Sequence, residues 1–85
     1  MLTRQGAPVT LRALLQRINR KLRDEHQMIR FARGPQARKE LGDFYQVDYG
    51  RNVVVAKDVN VEALGRKLKV LAAWEHLRAR EGGVL

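Results

Sequence analysis

Two neighbouring segments, residues 44–49 and 52–57, are rich in aromatic and β-branched side chains and are separated only by Gly50-Arg51. Such a pairing of β-prone runs across a glycine-led turn most constrains what this chain can become, because it reads as a β-hairpin. Glycine at the first central position suits a type II′ turn, which needs positive φ there. A two-residue turn pairs Tyr49 with Asn52, Val47 with Val54 and Tyr45 with Ala56. Alternation then puts Tyr45, Val47, Val54 and Ala56 on the face expected to meet helices, and Phe44, Gln46, Asp48, Val53, Val55 and Lys57 on the other. A lone hairpin is marginal in water, so the rest of the chain must supply a further strand and a covering layer.

The flanking segments offer both. Thr10 is a good N-cap, and Leu11, Leu14, Leu15, Ile18 and Leu22 follow at i, i+3, i+4, i+7 and i+11, one helical face. The pattern predicts a helix over residues 11–24. In residues 27–33, Ile29 would extend that stripe but Phe31 would point away from it. As a strand, Ile29 and Phe31 share one face, with Met28 and Arg30 on the other, and a strand is the reading taken. Gly34-Pro35 ends it, residues 36–41 form one helical turn, and Gly42 closes that turn. Asn60 caps a second long helix with Glu62 in its first turn and Val61, Leu64, Leu68 and Leu71 as its buried stripe. Residues 72–80 either continue that helix or form a short third one anchored by Trp74 and Leu77. Gly6 and Pro8 make residues 1–9 a flexible tail, and Gly82-Gly83 lets residues 81–85 fray. The expectation is one α+β domain over residues 10–80, in the order α-β-β-β-α, with helices packed on one face of a three-stranded antiparallel sheet.

Composition narrows the chemistry. The chain has 85 residues and neither Cys nor Ser. Burying about 60% of its unfolded surface, it has a thin core and little capacity for a strained catalytic site. The non-phenolic hydroxyls are Thr3 and Thr10, neither near a histidine in sequence. His26 and His76 stand fifty residues apart, and no H-x-x-x-H spacing occurs. Asp43, Asp48, Asp58 and Glu62 suit strand ends and caps more simply than a general acid/base pair. The glycines form no phosphate-cradling loop. These absences predict no enzymatic activity, no metal and no cofactor. No apolar run reaches the roughly 20 residues of a membrane span. Arg4, Gln5, Arg12, Gln16 and Arg17 interrupt the apolar stretch a signal peptide would need, so a cytoplasmic location and no membrane partner are expected.

Charge carries the functional signal. The formal net charge is +8. It is lopsided: residues 1–40 hold ten Lys/Arg against three acids, residues 41–85 seven against six. Opposite the apolar stripe of the first helix lie Arg12, Gln16, Arg17, Asn19, Arg20, Lys21 and Arg23. Arg and Lys there can neutralise phosphates, and Gln and Asn can reach sugars or base edges. Arg30, Arg33, Arg38 and Lys39 would widen the patch if the following strand and loop lie beside that helix. The competing reading is a solvated face with i,i+4 ion pairs, Arg20 to Asp24 and Lys21 to Glu25, worth a few tenths of a kcal/mol. On the outer face of the hairpin, Phe44, Val53 and Val55 form a modest apolar patch. It suits a protein partner, a homodimer, docking of residues 72–80, or base stacking on Phe44.

Three resemblances follow. The α-β-β-β-α order with basic excess is similar to a double-stranded-RNA-binding domain. That family's lysine cluster at the start of its second helix is replaced here by Asn60 to Leu64, with Arg66 and Lys67 later. Residues 63–80 look faintly like a helix-turn-helix, with Gly65 at the small-residue position. The segments "RINRKL", "LGDFYQVD", "NVVVAKDVNVEALGRKL" and "VLAAWE" resemble small, basic, functionally unassigned proteins of bacterial genomes and mobile elements. Lys69 stands where such proteins often have Gly, a departure that bears on where the second helix stops. That resemblance implies a bacterial, cytoplasmic setting and no particular site residues. Two functions emerge: a non-catalytic accessory protein that grips DNA or RNA by its phosphates, or a plasmid, phage or genomic-island module that engages a host protein complex.

Overall fold

A computed structural model of the chain describes residues 7–78. Residues 1–6 of the tail expected over residues 1–9, residues 79–80 and the frayed end over residues 81–85 lie outside the described residues. The fold is α+β, and its main sheet is three-stranded and antiparallel, as the sequence predicts. The elements are β1 (Ala7–Val9), α1 (Leu11–Leu22), a 3-10 turn (Arg23–Glu25), β2 (Gln27–Phe31), α2 (Gly34–Leu41), β3 (Phe44–Asp48), β4 (Val53–Ala56), α3 (Val61–Lys67) and β5 (Glu75–Leu77).

Helix α1 begins where its cap dictates: the Ala13 amide donates to Thr10 Oγ1 at 3.1 Å. Its stripe is buried at Leu11, Leu14, Ile18 and Leu22, with Leu14 and Ile18 wholly inaccessible. These side chains meet Ile29 and Phe44 from the sheet and Val61 and Leu71 from the C-terminal third. Truncating Leu14 or Ile18 to alanine should cost about 2–5 kcal/mol. Helix α3 lies against α1 where Gly65 allows close approach. A Cβ at Gly65 would sit 2.8 Å from Leu14 Cδ1. Asn60 caps α3 by accepting from the Ala63 amide at 3.0 Å.

The sheet order is β2-β3-β4. The expected Val47–Val54 pair forms, but the hairpin around it differs from expectation. The connection is a four-residue loop closing on the Asp48–Val53 pair, not a two-residue turn. The left-handed residue is Asn52, at φ 59°, rather than Gly50. Asp48 causes this: its Oδ1 accepts from the Arg51 amide at 3.0 Å, an Asx-type closure that folds the loop around the carboxylate. A bulge between Gln46 and Val47 then opposes Gln46 to Ala56, leaving Val55 as the extra residue.

The expected face assignment is inverted. Gln27, Ile29 and Phe31 pair across β2–β3 with Asp48, Gln46 and Phe44, and paired residues share a face. Ile29 and Phe44 are buried under α1, so that face points inward. Met28, Arg30, Tyr45 and Val47 therefore point outward, and Val54, paired with Val47, goes with them. Phe44 thus belongs to the core and not to an outer patch, because burying its ring gains more than burying Tyr45, whose hydroxyl wants water. Val53 and Val55 are exposed.

Two further expectations fail at the ends. Residues 7–9 are not tail: β1 pairs in parallel with β5, Val9 opposite Leu77. Residues 72–78 are not helical either, so neither a third helix nor a helix-turn-helix forms there, and Trp74 is 62% exposed rather than an anchor. Helix α3 stops early because Lys69 adopts φ 62°. The Val70 amide then donates to the Gly65 carbonyl at 2.9 Å and the Lys69 amide to the Arg66 carbonyl at 3.1 Å, the bond pair of a Schellman C-cap. Among the described residues no helix is long and apolar enough to cross a membrane.

Candidate nucleic-acid interface

With its apolar stripe committed to the core, α1 turns Arg12, Gln16, Arg20, Lys21 and Arg23 to solvent, all exposed. An open groove of about 840 Å³ runs along this side, lined by Arg12, Leu15, Gln16, Asn19, Arg20 and Arg23. At 1.5 Å per residue the row from Arg12 to Arg23 is roughly 16 Å long, the axial rise of about five phosphates on one duplex strand. Asn19 is held in place: its Oδ1 accepts from the Ile29 amide at 2.7 Å, satisfying an outward-pointing donor of edge strand β2.

Ion pairing decides how much of this charge is free. Among the described residues the pairs are Arg17–Glu75, Arg38–Asp43, Arg51–Asp48 and Arg66–Glu62. None uses Arg12, Arg20, Lys21 or Arg23. The expected Arg20–Asp24 and Lys21–Glu25 pairs do not form. Helix α1 ends at Leu22 and the chain tightens into a 3-10 turn, which takes both acids off the i+4 row.

Arg17 departs from the row. Its guanidinium donates to the Val70 carbonyl and to Glu75 Oε1, both at 2.9 Å. Glu75 also accepts from the Ala72 amide at 2.9 Å. The Arg17 hydrogen bond, then that amide, holds the Glu75 carboxyl below its ordinary range. Arg66 adds bonds to the Ala72 and Glu75 carbonyls, and Glu62 accepts from the Leu77 amide. Arg17 is thus part of a latch that fastens β5 beside β1. Sequence inspection missed it because the partners lie 58 positions apart.

The remaining predicted cations do not join the α1 row. Arg30 points from the outer sheet face and lines a different groove with Tyr45. Arg33 precedes α2, and Arg38 and Lys39 lie on α2, which packs against β3. All three are exposed, and Arg38 faces Asp43 at 3.9 Å. Asp48 is held below its ordinary range by the Arg51 amide first and then by the Arg51 guanidinium. His26 and His76 are both exposed, and the described residues bring no three His, Asp or Glu together as metal ligands. Neither a known protein family, nor a curated protein, nor a solved structure matches this chain.

Proposed function

We propose that the protein is a small, non-catalytic nucleic-acid-binding accessory protein that uses α1 to grip phosphates. The observation that carries this reading is the row Arg12, Arg20 and Arg23, exposed along one groove with no carboxylate partner among the described residues, with exposed Lys21 on the neighbouring side of the helix. Guanidinium groups suit this task, since their forked donors match phosphate oxygens. Gln16 and Asn19 between them supply hydrogen bonds of little sequence selectivity. The ligand is DNA or RNA. The reading includes the bacterial, mobile-element setting and cytoplasmic location that the sequence resemblance implies.

Substituting Arg12, Arg20 and Arg23 together by Gln tests it. Gel-shift assays on duplex DNA and duplex RNA at low salt should show retention by the parent and strong loss in the variant, with unchanged far-UV circular dichroism. Absence of retention by the parent on either polymer refutes the reading. The alternative, a module engaging a host protein complex, draws on Val53, Val54 and Val55, each more than 40% exposed on edge strand β4. A stoichiometric protein partner that survives nuclease treatment and is lost on Val55→Lys substitution would favour it.

A further inference from the structure

The face of the sheet turned away from α1 carries no covering layer from α1 or α3, yet it is not uniformly apolar. Central strand β3 presents Tyr45 and Val47 there, and Tyr49 continues the same row just past the strand end, its amide bonded to the His26 carbonyl at 2.9 Å. Arg30 stands directly across from Tyr45 on β2. These side chains, with Asn52 and Val54, line a groove of about 300 Å³ that contains no acidic residue among its lining. Tyr49 is 48% exposed and meets His26 edge-to-face at 6.0 Å, which restrains its ring.

We infer that this outer sheet face is a stacking platform for the unpaired bases of a single strand, with Tyr45 and Tyr49 under two bases and Arg30 on the backbone between or beside them. Aromatic side chains lying in a cationic groove are what sequence-tolerant single-strand recognition uses, since every base has a π-face and the backbone is anionic. The two rings are four residues apart on an extended chain, roughly 13 Å, which leaves room for bases splayed along the strand. Tyrosine rather than phenylalanine fits a face that stays wet between binding events. The inference takes from the proposed function only the class of ligand. It concerns the opposite layer of the molecule, so the two surfaces can be tested apart.

Fluorescence anisotropy with three labelled probes separates them: a short oligothymidylate, an abasic strand of equal length and charge, and a duplex. The parent should bind oligothymidylate at least tenfold more tightly than the abasic strand, since stacking contributes about that per base. Tyr45→Ala and Tyr49→Ala should each remove roughly tenfold of that affinity and leave duplex binding unchanged. The Arg12, Arg20 and Arg23 substitutions should instead weaken the duplex. Equal affinity for the thymidine and abasic strands overturns the inference without using any variant, and leaves the α1 reading standing. Tyrosine-dependent oligothymidylate binding with no duplex binding upholds it and sinks the α1 reading. Concentration-dependent dimerisation that Tyr49→Ala abolishes, and that oligothymidylate does not reverse, also overturns it.

Discussion

Replacing Lys69 by glycine should make the fold more stable, even though it removes a charged side chain and adds backbone freedom. Lys69 is the left-handed residue of the α3 C-cap, at φ 62°. An L-residue with a Cβ pays about 1–2 kcal/mol for that conformation. Glycine escapes the penalty but loses about 0.4–1 kcal/mol through the greater entropy of the unfolded chain. The cap itself survives, because its two bonds run from the Lys69 and Val70 amides to the Arg66 and Gly65 carbonyls and need no side chain at this position. The balance is a gain of about 0.5–1 kcal/mol, or roughly 2–8 °C in Tm for a domain of this size. Urea unfolding followed by circular dichroism, at fixed pH and salt, measures it. Lys69→Ala is the control: it deletes the same charge but keeps the Cβ, and should stay within about 0.5 kcal/mol of the parent. If alanine stabilises as much as glycine, the gain comes from relieving charge repulsion, and the backbone argument is refuted.

Other perturbations follow from particular contacts. Gly65→Ala should destabilise by about 1–2 kcal/mol despite alanine's better helix propensity, because its Cβ would meet Leu14 Cδ1 at 2.8 Å and Leu71 Cβ at 3.3 Å; urea midpoints check this. Asn60→Ala should cost about 1 kcal/mol by removing the α3 cap, and Asn60→Asp should restore most of it. Arg17→Met should lower the urea midpoint by unfastening β5, whereas Arg20→Met should leave it unchanged. The carboxyls of Glu75 and Asp48 lie below their ordinary values of 4.5 and 3.8, so their contribution to stability is full above those values and is lost as pH falls from them through the lowered values of the folded state. Thermal melts from pH 7 to pH 3 should therefore show a steep acid limb, which a Glu75→Gln, Asp48→Asn variant flattens.

How much of this was readable from residues alone depends on how local the cause is. The α1 stripe, both side-chain caps, β2 and the Val47–Val54 register rest on neighbours within a few positions, and the sequence displays them directly. The stop at Lys69 is local too. It was signalled only by the resemblance to chains with Gly there, because lysine in isolation gives no hint of positive φ. The sheet faces were inverted because alternation leaves two equivalent choices, and the choice was made by the third strand: its register puts Ile29 on the same face as Phe44, and both are buried under α1. The β1–β5 pair and the Arg17–Glu75 latch were invisible, since three-residue strands carry no periodicity and their partners lie at opposite ends of the chain. For the candidate site, the cationic row was legible as a helical face. Which cations stay free was not, because that depends on where the helix ends and on which acids the fold brings back.

The exposed row on α1 is tested most directly by the salt dependence of binding to duplex DNA. If Arg12, Arg20 and Arg23, the cations that line the groove, each neutralise one phosphate, log Kd against log salt should rise with a slope of about 2.7, since each contact contributes about 0.9. Removing Arg12, Arg20 and Arg23 should take about 2.7 from that slope. A slope near zero for the parent, or one that the substitutions leave unchanged, contradicts the account.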